Sequence, residues 1–353
     1  MNHFRVAVLA NLKKNAPVLE DFPSDVWADL DSEKTVHAIC DALRAGGHEA
    51  EFFEGDISLY TNLTQYKPDI CFNICEGHFG DAREAQVPAL LEMMRIPYTG
   101  SRVMTLALCL DKSMTKRILC WHDLPTPAFQ TFERMDEPLQ GDLKFPLFVK
   151  PSSEGTGMGV SAKSVVHNED ELRQQLSITL ERYKQSALVE TFIEGREVTV
   201  GVLGNLVGPT ARRLPDDPTA KRIKAGLQFL PPMEVDLNPY LESDAVYSNR
   251  LKVDVPEELT YLCPAPLDEV MVQRLNWLAA AVFRVTGCLD VARVDFRLDS
   301  RDHWKPYILE VNPLPGLSPG ISDIVIEAAA QNMDHTELVN TILENALERH
   351  GLI

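Results

Sequence analysis

Apolar and polar positions along the first hundred residues fall into short blocks of two kinds. Phe4-Arg5-Val6-Ala7-Val8-Leu9 is a brief apolar run with the pattern of a strand, and the pattern returns at Ala50 to Phe53 and at Ile70 to Asn73. A helical block from about Glu33 to Ala45 stops at Gly46-Gly47, and another runs from Glu84 to Met94. Strands that alternate with helices pack as a parallel sheet with helices on both faces. The expected class is therefore α/β, with an N-terminal parallel-sheet domain over residues 1–103.

The pattern then changes. A helix from Lys112 to Trp121 ends before the turn Pro125-Thr126-Pro127, and a smaller central unit with a helix from Glu169 to Tyr183 completes residues 104–185. The third unit, 186–353, holds apolar strands around Ala292 to Phe296 and Tyr307 to Asn312, and closes on helices near Ser322 to Gln331 and Thr336 to Glu348. Between Arg212 and Pro256, prolines, aspartates and asparagines without clear periodicity predict a long ordered loop. Loops of that length in a compact protein usually serve the site they cover.

Two segments carry candidate chemistry. In Ala292-Arg293-Val294-Asp295-Phe296 and Tyr307-Ile308-Leu309-Glu310-Val311-Asn312-Pro313-Leu314-Pro315-Gly316, three oxygen-bearing side chains sit on apolar strands. The two-residue period of a strand points Glu310 and Asn312 to one face. Carboxylate and amide oxygens suit magnesium, which keeps coordination positions open for nucleotide phosphates. A lone acidic residue on a strand merely faces solvent, but three on two neighbouring apolar strands call for another reason. Chemistry on ATP is the first hypothesis. The second segment is Phe148-Val149-Lys150-Pro151-Ser152-Ser153-Glu154-Gly155-Thr156-Gly157-Met158-Gly159-Val160. Its glycines let the backbone bend tightly around an anion, and Lys150 adds a point charge. No Gly-Lys-Ser/Thr follows the glycines, so this is not a Walker loop, and the dinucleotide fingerprint is absent too.

Taken together, these residues resemble the ATP-grasp ligases, and within them the D-alanine–D-alanine ligase group. The resemblance extends through Cys75-Glu76-Gly77-His78-Phe79-Gly80-Asp81-Ala82-Arg83-Glu84-Ala85-Gln86, Ile96-Pro97-Tyr98-Thr99-Gly100-Ser101, Asp111-Lys112, Leu188-Val189-Glu190 and Glu194-Gly195-Arg196-Glu197. It implies an ATP-grasp fold and amide formation through an acyl-phosphate, with ATP and magnesium (or manganese) required. By position, it implies that Lys112 and Lys150 hold the ATP phosphates under a loop of Glu154, Gly155, Thr156, Gly157, Met158 and Gly159. Glu190 would lie at the adenine side, Glu197 at the ribose hydroxyls and Lys252 near the terminal phosphate. Asp295, Glu310 and Asn312 would hold metal. Arg293 and the Gly316 N–H, with Thr156 in place of the family's loop serine, would act on the reacting groups.

The departures lie on the amino-acid side. Ala10-Asn11-Leu12-Lys13-Lys14 replaces the family's glycine-rich turn and glutamate, leaving Asp29, Asp31 and Glu33 as candidates to hold the first amino group. Val253 stands where a tyrosine often follows the loop lysine. Ser318 and Ser322 are both candidates for the serine that holds a substrate carboxylate. A D-alanine ligase, and with it a part in peptidoglycan synthesis, is one reading. A ligase of the same mechanism for other amino acids or a hydroxy acid is a second, and a non-catalytic nucleotide-binding protein a third.

Composition narrows the partners. A net charge of −18 over 353 residues argues against a nucleic-acid surface. Seven cysteines at irregular spacing contain no Cys-x-x-Cys pair. No apolar run is long enough for a membrane span, and no secretory signal is visible. The expectation is a cytoplasmic enzyme with small amino-acid-type substrates, and a homodimer is compatible with it. A nicotinamide-dependent oxidoreductase is set aside, because Val8-Leu9-Ala10-Asn11-Leu12-Lys13 lacks the required glycines.

Overall fold

The computed structural model describes residues 3–19, 23–155, 157–206, 226–237 and 260–353. Three sheets organise the chain. The first is parallel, in the order β2 (Glu49–Glu54), β1 (Arg5–Ala10), β3 (Ile70–Asn73). Every residue of β1 after Arg5 is buried, and the strand's period of two divides its side chains between two cores. Val6, Val8 and Ala10 pack with α1 (Glu33–Ala45) on one face. Ala7 and Leu9 pack on the other with α2 (Leu59–Tyr66) and α3 (Gln86–Met94). Each fully buried Val or Leu contributes roughly 1.5–3 kcal/mol. The start of α1 is fixed by Ser32, whose hydroxyl accepts the Thr35 N–H at 3.1 Å.

Next come α4 (Val103–Leu110) and α5 (Lys112–Trp121), the latter capped by Asp111 accepting the Met114 N–H at 3.0 Å. The second sheet is antiparallel, in the order β4 (Phe129–Phe132), β7 (Ala187–Thr191), β5 (Leu147–Pro151), β6 (Val165–Val166), backed by α6 (Glu169–Arg182). The third sheet runs β11 (Thr260–Leu262), β10 (Met233–Asp236), β8 (Gly195–Gly204), β12 (Asp290–Asp299), β13 (Lys305–Asn312), with β9 (Leu227–Phe229) also on β8. One of its faces is covered by α7 (Glu269–Thr286). The other meets α8 (Asp323–Ala330) and α9 (His335–His350) in a core shared with α1 and β1. The N-terminal and C-terminal parts therefore share buried apolar surface, and Arg349 ties them further by bonding Asp290 at 2.7 Å and the Tyr98 carbonyl at 2.8 Å.

The structure refines several expectations. The helix expected at Glu84 begins at Gln86, because Arg83–Ala85 forms a 3-10 turn. Within the stretch 212–256, Leu227–Phe229 and Met233–Asp236 are strands rather than loop, too short for a period of two to show in sequence. Residues 212–225 and 238–256 of that stretch, including Lys252 and Val253, lie outside the described residues, as does Thr156. Among the described residues, no helix is long and apolar enough to cross a membrane.

Candidate active site

A cleft of about 820 Å³ lies between the second and third sheets. Lys150 and Glu190, on paired strands β5 and β7, reach into it from one side, and Glu197, Asp295, Arg297 and Glu310 from the other. The Glu190 carboxylate bridges two ammonium groups, Lys150 at 2.8 Å and Lys116 at 2.7 Å. Lys116, one turn after Lys112 on α5, is 1% exposed and also donates to Thr126 at 2.7 Å. Burial works to raise the Glu190 carboxyl, yet the two lysines hold it below its ordinary value. The lysines differ. Burial pushes Lys116 down despite Glu190, whereas Glu190 and Glu310 outweigh burial and raise Lys150. Lys150 is the cation more firmly kept charged, and it faces the cleft.

One part of the cleft has aromatic walls. Phe148 and Phe192 lie nearly parallel, with ring centroids 6.3 Å apart. The Arg297 guanidinium sits 5.4 Å over the Phe192 ring and donates to Glu197 at 2.5 Å. Glu197 is thus on the cleft wall, with its carboxylate oriented by an arginine that sequence reasoning missed.

Above the cleft runs the glycine-rich segment. The Met158 N–H bonds the Gly155 carbonyl at 3.0 Å and the Val160 N–H bonds the Gly157 carbonyl at 3.1 Å, with Gly157 and Gly159 at φ of 67° and 71°. These are left-handed conformations that favour glycine. The segment is fastened to the N-terminal part: Gly159 donates its N–H to Asp25 at 3.2 Å, and the Tyr183 hydroxyl donates to the same carboxylate at 3.1 Å. Glu154 lines the cleft and accepts from Gln185 at 2.6 Å while pairing with Arg83 at 3.4 Å.

On the paired strands β12 and β13, Asp295 stands opposite Glu310 and Arg293 opposite Asn312. Asp295 accepts two bonds from Arg293 (2.8 and 2.9 Å), one from Thr199 (2.8 Å) and one from the Asn312 amide (2.9 Å). Glu310 lies 3.4 Å from Lys112, whose ammonium also meets the Glu154 carbonyl. Two carboxylates and one amide oxygen, converging from neighbouring strands, are hard oxygen donors of the kind a magnesium ion takes. Burial opposes the charge of Arg293, but Asp295 and Asp323 raise its pKa well above the ordinary value, so it is cationic at any working pH. The Arg293–Asp323 contact is 3.3 Å.

Behind Arg293 lies Glu327 on α8, wholly buried. Its carboxylate accepts the Gly201 N–H at 2.6 Å. Gly201 faces Arg293 across the β8–β12 ladder, at the break between β9 and β10 where Pro231 and Pro232 have no N–H to offer. A Cβ on residue 201 would meet the Glu327 carboxylate, Leu230 at 2.7 Å and Ile324 at 3.0 Å.

A second cavity, of about 1660 Å³, adjoins the first and shares Lys112, Glu154, Gly155 and Glu310 with it. Arg293, Asn312 and Gly316 line its inner end. Of the acidic candidates, Asp29 and Asp31 line this cavity, while Glu33 is exposed and pairs with Lys14 at 2.5 Å. Asp29 is held by Arg83 at 2.7 Å. Ser318 and Ser322 both line it too, but the Ser322 hydroxyl already accepts the Ser318 N–H at 2.9 Å.

Comparison with known proteins decides the family. The model for the D-ala D-ala ligase C-terminus matches residues 118–216 and 232–344. The chain belongs to the D-alanine–D-alanine ligase family. It is 35% identical to a D-alanine–D-alanine ligase of Alcanivorax borkumensis, over 98% of this chain and 94% of that one. It is 34% identical to one from Syntrophotalea carbinolica, over 89% and 91% respectively. It is also 33% identical to an uncharacterised protein, y4sG, of Sinorhizobium fredii, over 88% and 86%. The fold matches the crystal structure of a Bacillus anthracis D-alanine–D-alanine ligase complexed with ATP, with a TM-score of 0.71 at 22% identity over 99% of both chains.

Proposed function

We propose that the protein is an ATP-dependent ligase that joins a carboxylate to an amine. The observation that carries this reading is the continuity of the two cavities at Lys112 and Glu310, with Arg293 lining the second beside them. A nucleotide in the first cavity would point its terminal phosphate at a carboxylate in the second. The carboxylate oxygen attacks the terminal phosphorus, and ADP leaves. The amine nitrogen of a second substrate then attacks the acyl carbon, inorganic phosphate departs with the broken C–O bond, and one proton is lost from nitrogen.

Each residue has a part in that scheme. Lys150 and Lys112 neutralise the phosphates, and the segment 154–159 excludes water that would hydrolyse the acyl-phosphate. Phe148 and Phe192 flank the base, while Glu197 accepts from the ribose hydroxyls. Asp295, Glu310 and Asn312 would hold magnesium, which supplies charge neutralisation at the transferring phosphoryl group. Arg293 and the Gly316 N–H stabilise the oxyanion that forms when the amine adds. We propose also that the chain divides functionally near residues 103 and 185, although β7, just beyond the second boundary, pairs within the central sheet. A cytoplasmic location and a homodimer complete the proposal, the latter checked by light scattering.

The test is coupled detection of ADP with magnesium and ATP across a panel of D- and L-amino acids and hydroxy acids. Amino-acid-dependent ADP release with stoichiometric phosphate and an amide product supports the reading. Nucleotide binding without such release would leave a nucleotide-binding protein in its place.

A further inference from the structure

The second cavity carries more negative charge than two neutral amino acids would use. Asp29, Asp31, Glu76, Glu84 and Glu154 all line it. The cations beside them are already committed. Arg83 sits 2.7 Å from Asp29 and 3.4 Å from Glu154 and donates to the Ser153 carbonyl. Lys112 is drawn to Glu310, and Arg293 to Asp295 and Asp323. Lys13 also lines the cavity. Among the described residues, no hydrogen bond or ion pair engages the carboxyl of Asp31, Glu76 or Glu84.

Those three carboxyls are in an unfavourable state as they stand. Burial and the neighbouring Glu84 and Asp29 push Glu76 well above the usual carboxylate range. Burial raises Glu84 to about 7 against the pull of Arg83, and burial with Asp29 raises Asp31 to about 7. Enclosed acids that repel one another are stabilised when a cation arrives. A bare metal ion fits poorly, since among the described residues no three acidic, histidine or cysteine side chains gather closely enough to hold one. Ala28, Cys109 and Leu110 also line the cavity and offer apolar surface to an aliphatic stem.

We infer that one of the two substrates is a basic amino acid, whose side-chain ammonium or guanidinium is received by Glu76 and Glu84 while Asp31 receives its α-ammonium. This rests on the ligase reading and extends it to a substrate class. The surplus acid is a demand for two positive charges. A neutral amino acid would satisfy one and leave Glu76 and Glu84 facing each other.

The test compares lysine, ornithine and arginine with norleucine and alanine, in both chiralities, as substrates for ADP release by the wild-type protein. Norleucine has the length of lysine without its terminal amine. A site whose carboxyls lack protein partners should prefer the basic amino acid by about 10²-fold or more in kcat/KM. Titration calorimetry in two buffers of different ionisation enthalpy gives a readout independent of turnover. Lysine should release protons on binding at neutral pH, and norleucine should not. In the doubly substituted Glu76→Gln, Glu84→Gln protein the ratio of basic to neutral kcat/KM should fall at least about 10-fold. Norleucine or alanine equal to or better than every basic amino acid overturns the inference while leaving the ligase reading intact. No ADP release with any amino acid overturns the ligase reading, and the inference with it.

Discussion

The two cavities treat buried charge in opposite ways. In the first cleft Lys150 and Arg297 each face a carboxylate, with Lys116 buried behind Glu190, and Glu190 and Glu197 take their orientation from those contacts. In the adjoining cavity the carboxyls of Asp31, Glu76 and Glu84 have no hydrogen-bond or ion-pair partner among the described residues. The cleft is a prearranged surface of matched charges that needs little adjustment when a polyanion enters. The cavity is left mismatched, and a ligand of opposite sign completes it. One half of the candidate site is balanced in advance, and the other stores its imbalance.

The largest effect expected from disturbing the balanced side is at the strand pair. Asp295→Asn and Glu310→Gln should each lower kcat by about 10³-fold or more, roughly 4 kcal/mol of transition-state stabilisation. Circular dichroism should show the fold retained. Wild-type turnover in both variants would remove the metal assignment.

Next in size is the contrast between the two lysines on Glu190. Lys116→Met leaves Glu190 paired with Lys150 but removes a wholly buried ammonium and its bond to Thr126, and should destabilise the protein by about 1–3 kcal/mol. Lys150→Met leaves Glu190 paired with Lys116, and should instead cost about 10²-fold in kcat/KM for ATP with a smaller change in melting temperature. If Lys150→Met proves the less stable of the two, the lysine serves the fold rather than the phosphates.

The mismatched side should show itself in pH dependence. Asp31 and Glu84 have folded-state pKa values of about 7, above the 3.8 and 4.5 of the ordinary groups. The folded protein therefore binds more protons than the unfolded chain between about pH 4 and 7, and stability falls as pH rises through that window. Below about 6.5 the lowered His48 and His350 oppose this trend, since burial disfavours their charged forms. Thermal melts of the wild type and of a double Asp31→Asn, Glu84→Gln protein from pH 5 to 8 separate the two contributions. The difference between them should change with pH, the wild type losing ground as pH rises. Parallel curves would mean that these acids are not raised. At the small end of the range, Glu33→Gln should leave amino-acid-dependent turnover unchanged, because Glu33 pairs with Lys14 in solvent.

How much of this could be read from the sequence depended on whether a residue's role was written into local periodicity. Asp295, Glu310 and Asn312 stand out because an apolar strand with a period of two leaves few reasons for an acid, and the register across β12 and β13 brings them together. The alternating N-terminal elements were legible for the same reason. α7 was missed, although its apolar residues recur at helical spacing, because it carries none of the motif residues. Lys116 looked like an ordinary helix lysine. Its spacing of four from Lys112 was the available signal, but only the crossing of α5 with β7 buries it against Glu190. Glu76 and Glu84 lie in a motif that gives them no role of their own, since they meet Asp29 and Asp31 of another segment only in the folded cavity. Arg297 and Glu327 depend likewise on partners about one hundred or more residues away.

The meeting of Gly201 with Glu327 bears on how this chain can diverge. Position 201 has no room for a methyl group while the carboxylate of residue 327 lies against its N–H. A relative with any larger residue at 201 must therefore surrender the acid at 327, and the two positions should vary as a linked pair across homologues. The change would not stop there, because Glu327 and Asp323 share one short helix and Asp323 holds Arg293. A substitution on the far side of the sheet would thus be transmitted to Arg293, making this pair a historical marker of lineages that retuned it.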